Sequence, residues 1–293
     1  MPVLRTYEWQ QVLAKKGQKG LLRLIQDLDE DLQKIIIKAA KDAQKIIADL
    51  PPEGVGATAR TAFYAQQRSA LLDIVTSTWL DVGEDVFSML HTSTKSATNS
   101  SKALLGLLTK ASPQTATLLV NSLQRSSSTI FEDLRSRLLN DINLSPTVYR
   151  NSSYMMGKID DIVNNGIALG QSSREIADAV VDHINPSVPG GQKYAAQRLG
   201  RTELNNAFHS TAIRSYAESP WVIGVKWHLS GSHPKPDECN TFADENHTGL
   251  GVGIFMPAEV PAKPHPQCFC YLAPVTPTPD QFMKSLLSGK YDC

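Results

Sequence analysis

The chain has 293 residues, 41% hydrophobic and 20% charged, and its 29 Lys+Arg balance 29 Asp+Glu for a formal net charge of zero. That length supplies one large or two modest domains with a core, and the neutral balance argues against a dedicated nucleic-acid binder, which carries a basic excess. No stretch reaches the roughly 18 uninterrupted apolar residues of a membrane span, and "MPVLRTYEWQ" lacks the character of a signal or transit peptide.

In chain order, residues 1–184 read as an elongated helical domain. Apolar positions recur at gaps of three and four from Leu21, Ile25, Leu28 and Leu32 through Ile35, Ala39 and Ala43 to Ile46 and Leu50. This predicts one helix of about 30 residues, reaching about 45 Å, stopped by "PPEG" (Pro51 to Gly54). A second long helix is predicted from near Ala57 to Leu90. It is expected to end at "HTSTKSATNSSK" (His91 to Lys102), a Ser/Thr-rich stretch that reads as a loop. Further helices are expected near Ala103–Lys110, Gln114–Asn140 and Pro146–Gly166. In "GQSSREIADAVVDHINP" the Ser172 and Glu175 spacing fits a capping box, and Asn185-Pro186 ends the helix.

"NPSVPGGQ" (Asn185 to Gln192) is the expected hinge into a small α+β domain, residues 185–293. A helix from about Ala195 to Glu218 is followed by "WVIGVKWHLS", which has strand composition. Two Pro/Gly-rich loops then lead into a second strand within "CFCYLAPV". The fold class expected is mainly α with a small C-terminal α+β domain, a helical bundle or arm followed by a knob that the cysteines and histidines between His233 and Cys270 would staple with zinc. Loops this long need something to hold them.

A cysteine and histidine cluster meets that need. Four cysteines without a secretory signal point to a reducing compartment and to thiolates, with the terminal Cys293 expected to be free. His233 and Cys239 form one group and His265, Cys268 and Cys270 another, the two-cluster delivery that zinc sites use. Cys268 and Cys270 are two apart, so on a strand they would share a face. Five donors compete for four places, and the spacing does not choose among them. Competing readings are reduced, buried cysteines with solvent-facing histidines, a Cys-His nucleophile, and a catalytic zinc with Glu238, Asp244, Glu245 or Glu259 as its base. Arg198, Arg201 and Glu203 on the preceding helix could serve catalysis, but an ion pair tying that helix to the knob explains them without chemistry. His209 is expected at the edge of the core, and Trp227, alternating with His228, inside it.

Taken in order, "RLGRTELNNAFHSTAIRSY", "VKWHLSGSHPKPDEC" and "PHPQCFC" resemble the C-terminal domain of phage head morphogenesis proteins, the Mu protein F-like minor head proteins. "GQSSREIADAV" resembles the helix that usually precedes them, so the resemblance covers roughly residues 165–275. It implies Cys239, His265, Cys268 and Cys270 as zinc ligands. One departure stands out: many relatives carry CxxC in the first loop, whereas here Phe242 follows Cys239 at that spacing. His233, six residues before Cys239, is the substitute that ligand chemistry offers.

The resemblance implies a non-enzymatic minor capsid protein of a tailed bacteriophage, acting in head assembly and genome packaging or delivery. Its expected partner is the portal protein, with major capsid or scaffold protein and further copies of itself as additional ones and no membrane. Its expected location is the virion head near the portal, with the host cytoplasm during assembly. The alternative is a metal-dependent nuclease or toxin-like effector carried in the head. Direct binding of packaged DNA is weakly supported, resting on the stripe Lys34, Lys38, Lys41 and Lys45.

Overall fold

A computed structural model describes residues 8–108, 132, 144–185, 190–233 and 236–291, with backbone only for 144–147 and 149. The elements in order are α1 (Glu8–Ala48), α2 (Ala57–Leu108), α3 (Leu144–Ala168), α4 (Ser173–Ile184), α5 (Gln192–Ala217), β1 (Gly224–His228), α6 (Glu238–Asp244), β2 (Ile254–Phe255), a 3-10 turn (Pro257–Glu259), β3 (Tyr271–Val275) and α7 (Pro279–Leu287). The protein is mainly helical, with a small C-terminal sheet, as the sequence predicts. The helix expected over Gln114–Asn140, residue 132 excepted, residues 186–189 of the hinge, and Cys293 lie outside the described residues. Among the described residues, no helix is long and apolar enough to cross a membrane.

Contacts group the chain into two units. One takes Met1–Ile25, Met89–Arg135 and Arg201–Cys293, the other Gln26–Ser88 and Ser136–Gly200. Both are discontinuous in sequence, whereas the sequence reading divides the chain once, at 184/185.

In the helical unit, α1 buries Leu28, Leu32, Ile36, Ala43 and Ile47. The stripe is the predicted one except that Ile36 and Ile47 replace Ile35 and Ile46, which are half-buried. Runs of adjacent isoleucines leave the choice to packing. On the other side Lys34, Lys38, Lys41 and Lys45 are exposed, and Asp31 and Asp42 pair with Lys34 and Lys45. Tyr64 and Arg68 on α2 both grip Asp160 on α3: the phenol donates at 2.7 Å, the guanidinium Nε and Nη2 at 2.9 and 2.7 Å. The capping box at α4 forms as predicted, Ser172 Oγ accepting from the Glu175 amide and the Glu175 carboxylate from the Ser172 amide.

The segment predicted as a loop, His91 to Lys102, is helical and continues α2 to Leu108. Its buried residues include Ser93, Thr94, Ala97, Thr98 and Ser101, at helical spacing. Hydroxyls do not prevent burial here because each has an acceptor. Ser93 donates to the Leu204 carbonyl across to α5, and Thr98 and Ser101 donate to carbonyls one turn back. Small side chains also let helices approach closely. A Cβ added at Gly17 on α1 would stand 2.6 Å from Ser100 Oγ on α2.

In the sheet unit, β1 is central, in the order β2-β1-β3 with both pairings antiparallel. Trp227 faces Leu272 in the β1–β3 register, and Pro274 fits because β3 is an edge strand. Trp227 is buried and packs edge-on against His209 and Phe242, at 5.3 and 5.1 Å between ring centroids. Phe242, where a second cysteine was looked for, is therefore an aromatic packing residue. α7 caps the unit by burying Phe282 against Trp221. Strands of five, two and five residues leave the long β1–β2 and β2–β3 connections with little ladder to hold them.

Candidate metal centre

The Cys/His cluster lies on those connections. Asp237 caps α6 with a capping box: its carboxylate accepts from the Cys239 amide at 2.7 Å, while Asn240 Oδ1 accepts from the Asp237 amide at 3.1 Å. This box fixes Cys239 in the first turn of α6, with its side chain turned inward and buried. Across the site, "HPQC" makes a tight turn in which Gln267 takes φ 57°, the left-handed region costly for a residue with a Cβ. The turn brings His265 and Cys268 to the same side. Cys268 and Cys270 precede β3 and do not sit on a strand as predicted, yet both are buried. Gly253 supports the connection from the other end. Its φ is +67° and an added Cβ would meet the Ala243 carbonyl oxygen at 2.5 Å, so only glycine fits.

All five predicted donors converge. Cys239 Sγ is 3.4 Å from Cys268 Sγ and 3.7 Å from His265 Nε2, and Cys270 Sγ is 3.8 Å from His233 Nδ1. Two donor triads share Cys239: with His233 and Cys270, and with His265 and Cys268. Within each, the donor atoms lie within 4.8 Å of one another. Three thiols and an imidazole at this spacing are able to hold a metal ion. The acids named as bases, Glu238, Asp244, Glu245 and Glu259, are exposed and belong to neither triad.

Without a cation, the surroundings hold Cys239 and Cys270 protonated and favour the thiolate only at Cys268. Burial pushes Cys239 up to about 12. The interaction between the neighbouring Cys268 and Cys270 thiols lowers the first and raises the second, with burial opposing the drop at Cys268 and adding to the rise at Cys270. Lys263 supplies compensating charge, its ammonium donating to the Cys268 and Cys270 carbonyls. Burial lowers the pKa of Lys263 and the nearby thiols raise it.

Sequence reasoning missed Asp237, Asn240, Lys263 and Gln267. In "DECN" the spacing of Asp237 and Asn240 is that of an N-cap and its N3 residue, whereas Lys263 and Gln267 carry no local signal. Arg201 donates to Gln267 Oε1 at 3.3 Å, so the tie between helix and knob expected of it is made through an amide. Glu203 is half-buried and burial raises its pKa. His209 is buried, its ring Nε2 donates to the Pro261 carbonyl at 2.9 Å, and burial lowers it to about 3. A neutral histidine so enclosed is a packing residue.

No family model matches the chain, and searches of curated proteins and of solved structures find no similar protein.

Proposed function

We propose that the chain is a minor head protein of a tailed bacteriophage, present in few copies at the portal vertex and acting in head assembly and genome packaging or delivery, with a structural zinc closing its C-terminal fold. The observation that carries this reading is convergence. The motif parts that carry Arg201, Cys239 and Cys268 are far apart in sequence, yet they meet in one place. Arg201 reaches Gln267 across 66 positions, and Cys239 reaches Cys268 across 29.

The donors fit zinc. Bond lengths of about 2.3 Å to sulfur and 2.0–2.1 Å to nitrogen give tetrahedral edges of about 3.8 Å between sulfurs and about 3.6 Å between sulfur and nitrogen. The separations of 3.4, 3.7 and 3.8 Å are within a few tenths of those edges. A catalytic zinc keeps one position open and a carboxylate base at hand. Here nitrogen and sulfur donors outnumber the places, and the acids named as bases are exposed and outside both donor triads, which supports a structural role. With three thiolates bound, zinc carries one net negative charge, which the Lys263 ammonium offsets. The ion would replace the long ladder that the short strands lack.

The test is quantitative mass spectrometry of purified particles from the phage or prophage that encodes the chain, with zinc measured on the same material. A copy number close to the portal's, and about one zinc per chain, is expected. Free protein in infected cells with none in particles would overturn the head-protein reading and favour the effector.

A further inference from the structure

Distance alone does not choose between the two histidines, but their hydrogen bonds do. We propose that His233 is the fourth zinc ligand beside Cys239, Cys268 and Cys270, and that His265 stays off the metal, paired with Asp237 as an outer cover. This rests on the zinc reading above and departs from what the family resemblance implies, which places His265 on the metal.

His233 Nε2 stands 2.8 Å from Asn240 Oδ1 and 3.5 Å from Asp237 Oδ1, both acceptors. The Asn240 amide is oriented by the capping box, since the same Oδ1 accepts from the Asp237 backbone N–H. Nε2 therefore carries the proton, and the lone pair is on Nδ1, the nitrogen that faces Cys270 Sγ. A ligating histidine whose other nitrogen donates to a fixed oxygen is the arrangement that orients the ring on a metal. Only 9% of the His233 side chain is exposed.

His265 is placed differently. Its Nε2, the nitrogen near Cys239, is 3.0 Å from Asp237 Oδ2. A nitrogen lone pair held that close to a carboxylate is repelled by it, whereas an N–H there donates a charge-assisted hydrogen bond. Nε2 committed in this way has no lone pair to give. The other nitrogen, Nδ1, also faces an acceptor, the Pro266 carbonyl at 3.0 Å, but the carboxylate is the stronger acceptor and holds the proton on Nε2. The side chain is 38% exposed, on the solvent side of the cluster. Asp237 thus joins the Cys239 amide to His265, holding a ligand's backbone with one oxygen and the cover with the other.

The test uses the full chain, loaded with zinc, and its His233→Ala and His265→Ala variants, titrated against a chelator of known affinity. His265→Ala should keep one zinc, weakened by no more than about 10-fold, the lower end of the cost of losing an outer hydrogen-bond partner. His233→Ala should weaken binding by more than about 100-fold, beyond that range. Long-range proton–nitrogen correlation spectra of the wild-type chain decide independently of how the variants fold. The expected result is His233 with a metal-shifted Nδ1 and a protonated Nε2, and His265 with no metal-shifted nitrogen. A metal-shifted His265 Nε2, or zinc kept by His233→Ala and lost by His265→Ala, overturns the assignment while leaving the zinc reading intact. A wild-type chain that takes up no zinc overturns both.

Discussion

Cys239 and Cys268 stand 29 positions apart and hold their sulfur atoms 3.4 Å apart, both residues buried. A disulfide needs about 2.05 Å between sulfurs, so a small movement separates a thiol pair from a crosslink. A bound metal blocks that movement by occupying both lone pairs. With the metal chelated, the azo oxidant diamide should take two electrons and two protons from this pair and leave a Cys239–Cys268 disulfide. The zinc-loaded chain should resist. Peptide mapping under non-reducing conditions reads the result, and a dominant Cys268–Cys270 bond in its place would show that the sulfur geometry has been misread.

Gly17 and Ser100 provide a test of helix contact in the sheet unit. A methyl at Gly17 would stand 2.6 Å from Ser100 Oγ, and that hydroxyl is held by its bond to the Ser96 carbonyl. Gly17→Ala gains about 1 kcal/mol of helix propensity but incurs an overpacking cost of about 1–3 kcal/mol, so net destabilisation is expected. In a Ser100→Ala background the closest obstacle is gone and the next contacts are at 3.4 Å. There the same change should stabilise. Urea unfolding of the four proteins of this cycle reads the change of sign, and equal effects in both backgrounds would deny the contact.

The same contact explains what the sequence could and could not disclose. Amphipathic runs such as Leu28, Leu32 and Val180, Ile184 announce their buried face because burial there is hydrophobic. Between His91 and Lys102 the buried face is made of Ser, Thr and Ala, and a hydrophobic period has nothing to register. Only the partners, Gly17 and the Leu204 carbonyl, show why small polar residues belong there. The metal cluster was legible because ligand types are few and specific. The oxygens that orient it, on Asp237 and Asn240, were not singled out, since such side chains are common in any loop. The proposed choice between His233 and His265 rests on the hydrogen bonds around each ring, which no sequence pattern displays.

In the helical unit, Asp160 should matter more than either of its partners. Tyr64 is buried, and both burial and its bond to Asp160 raise its pKa, keeping the phenol protonated as a donor. Asp160→Ala leaves that donor without an acceptor and should cost about 1–3 kcal/mol. The Arg68 side chain is 49% exposed, so Arg68→Ala should cost less than about 1 kcal/mol. Adding Tyr64→Phe to Asp160→Ala removes the stranded hydroxyl and should restore part of the loss. Chemical denaturation of the single and double variants checks the order, and a larger loss from Arg68→Ala would reverse the assignment of roles.

His183 gives the helical unit a pH dependence whose sign is fixed by its surroundings. Burial lowers its pKa from the ordinary value of 6.5, with the Lys158 ammonium adding to the effect, and Gln192 Nε2 donates to its ring Nε2 at 3.3 Å. The folded protein therefore prefers the neutral ring, which accepts that bond. Above pH 6.5 the ring is neutral folded or unfolded, and the preference is present in full. As pH falls below 6.5 the unfolded chain takes up the proton first, so stability is lost toward the lower folded-state value. His183→Gln keeps an acceptor near Gln192 but cannot titrate. Its urea midpoint should fall less than the wild-type midpoint between pH 7.5 and pH 5. The comparison is a difference between two proteins, so carboxylates that titrate in both cancel. A wild-type midpoint that falls no more steeply than the variant's would mean that His183 is free to take up its proton in the folded state.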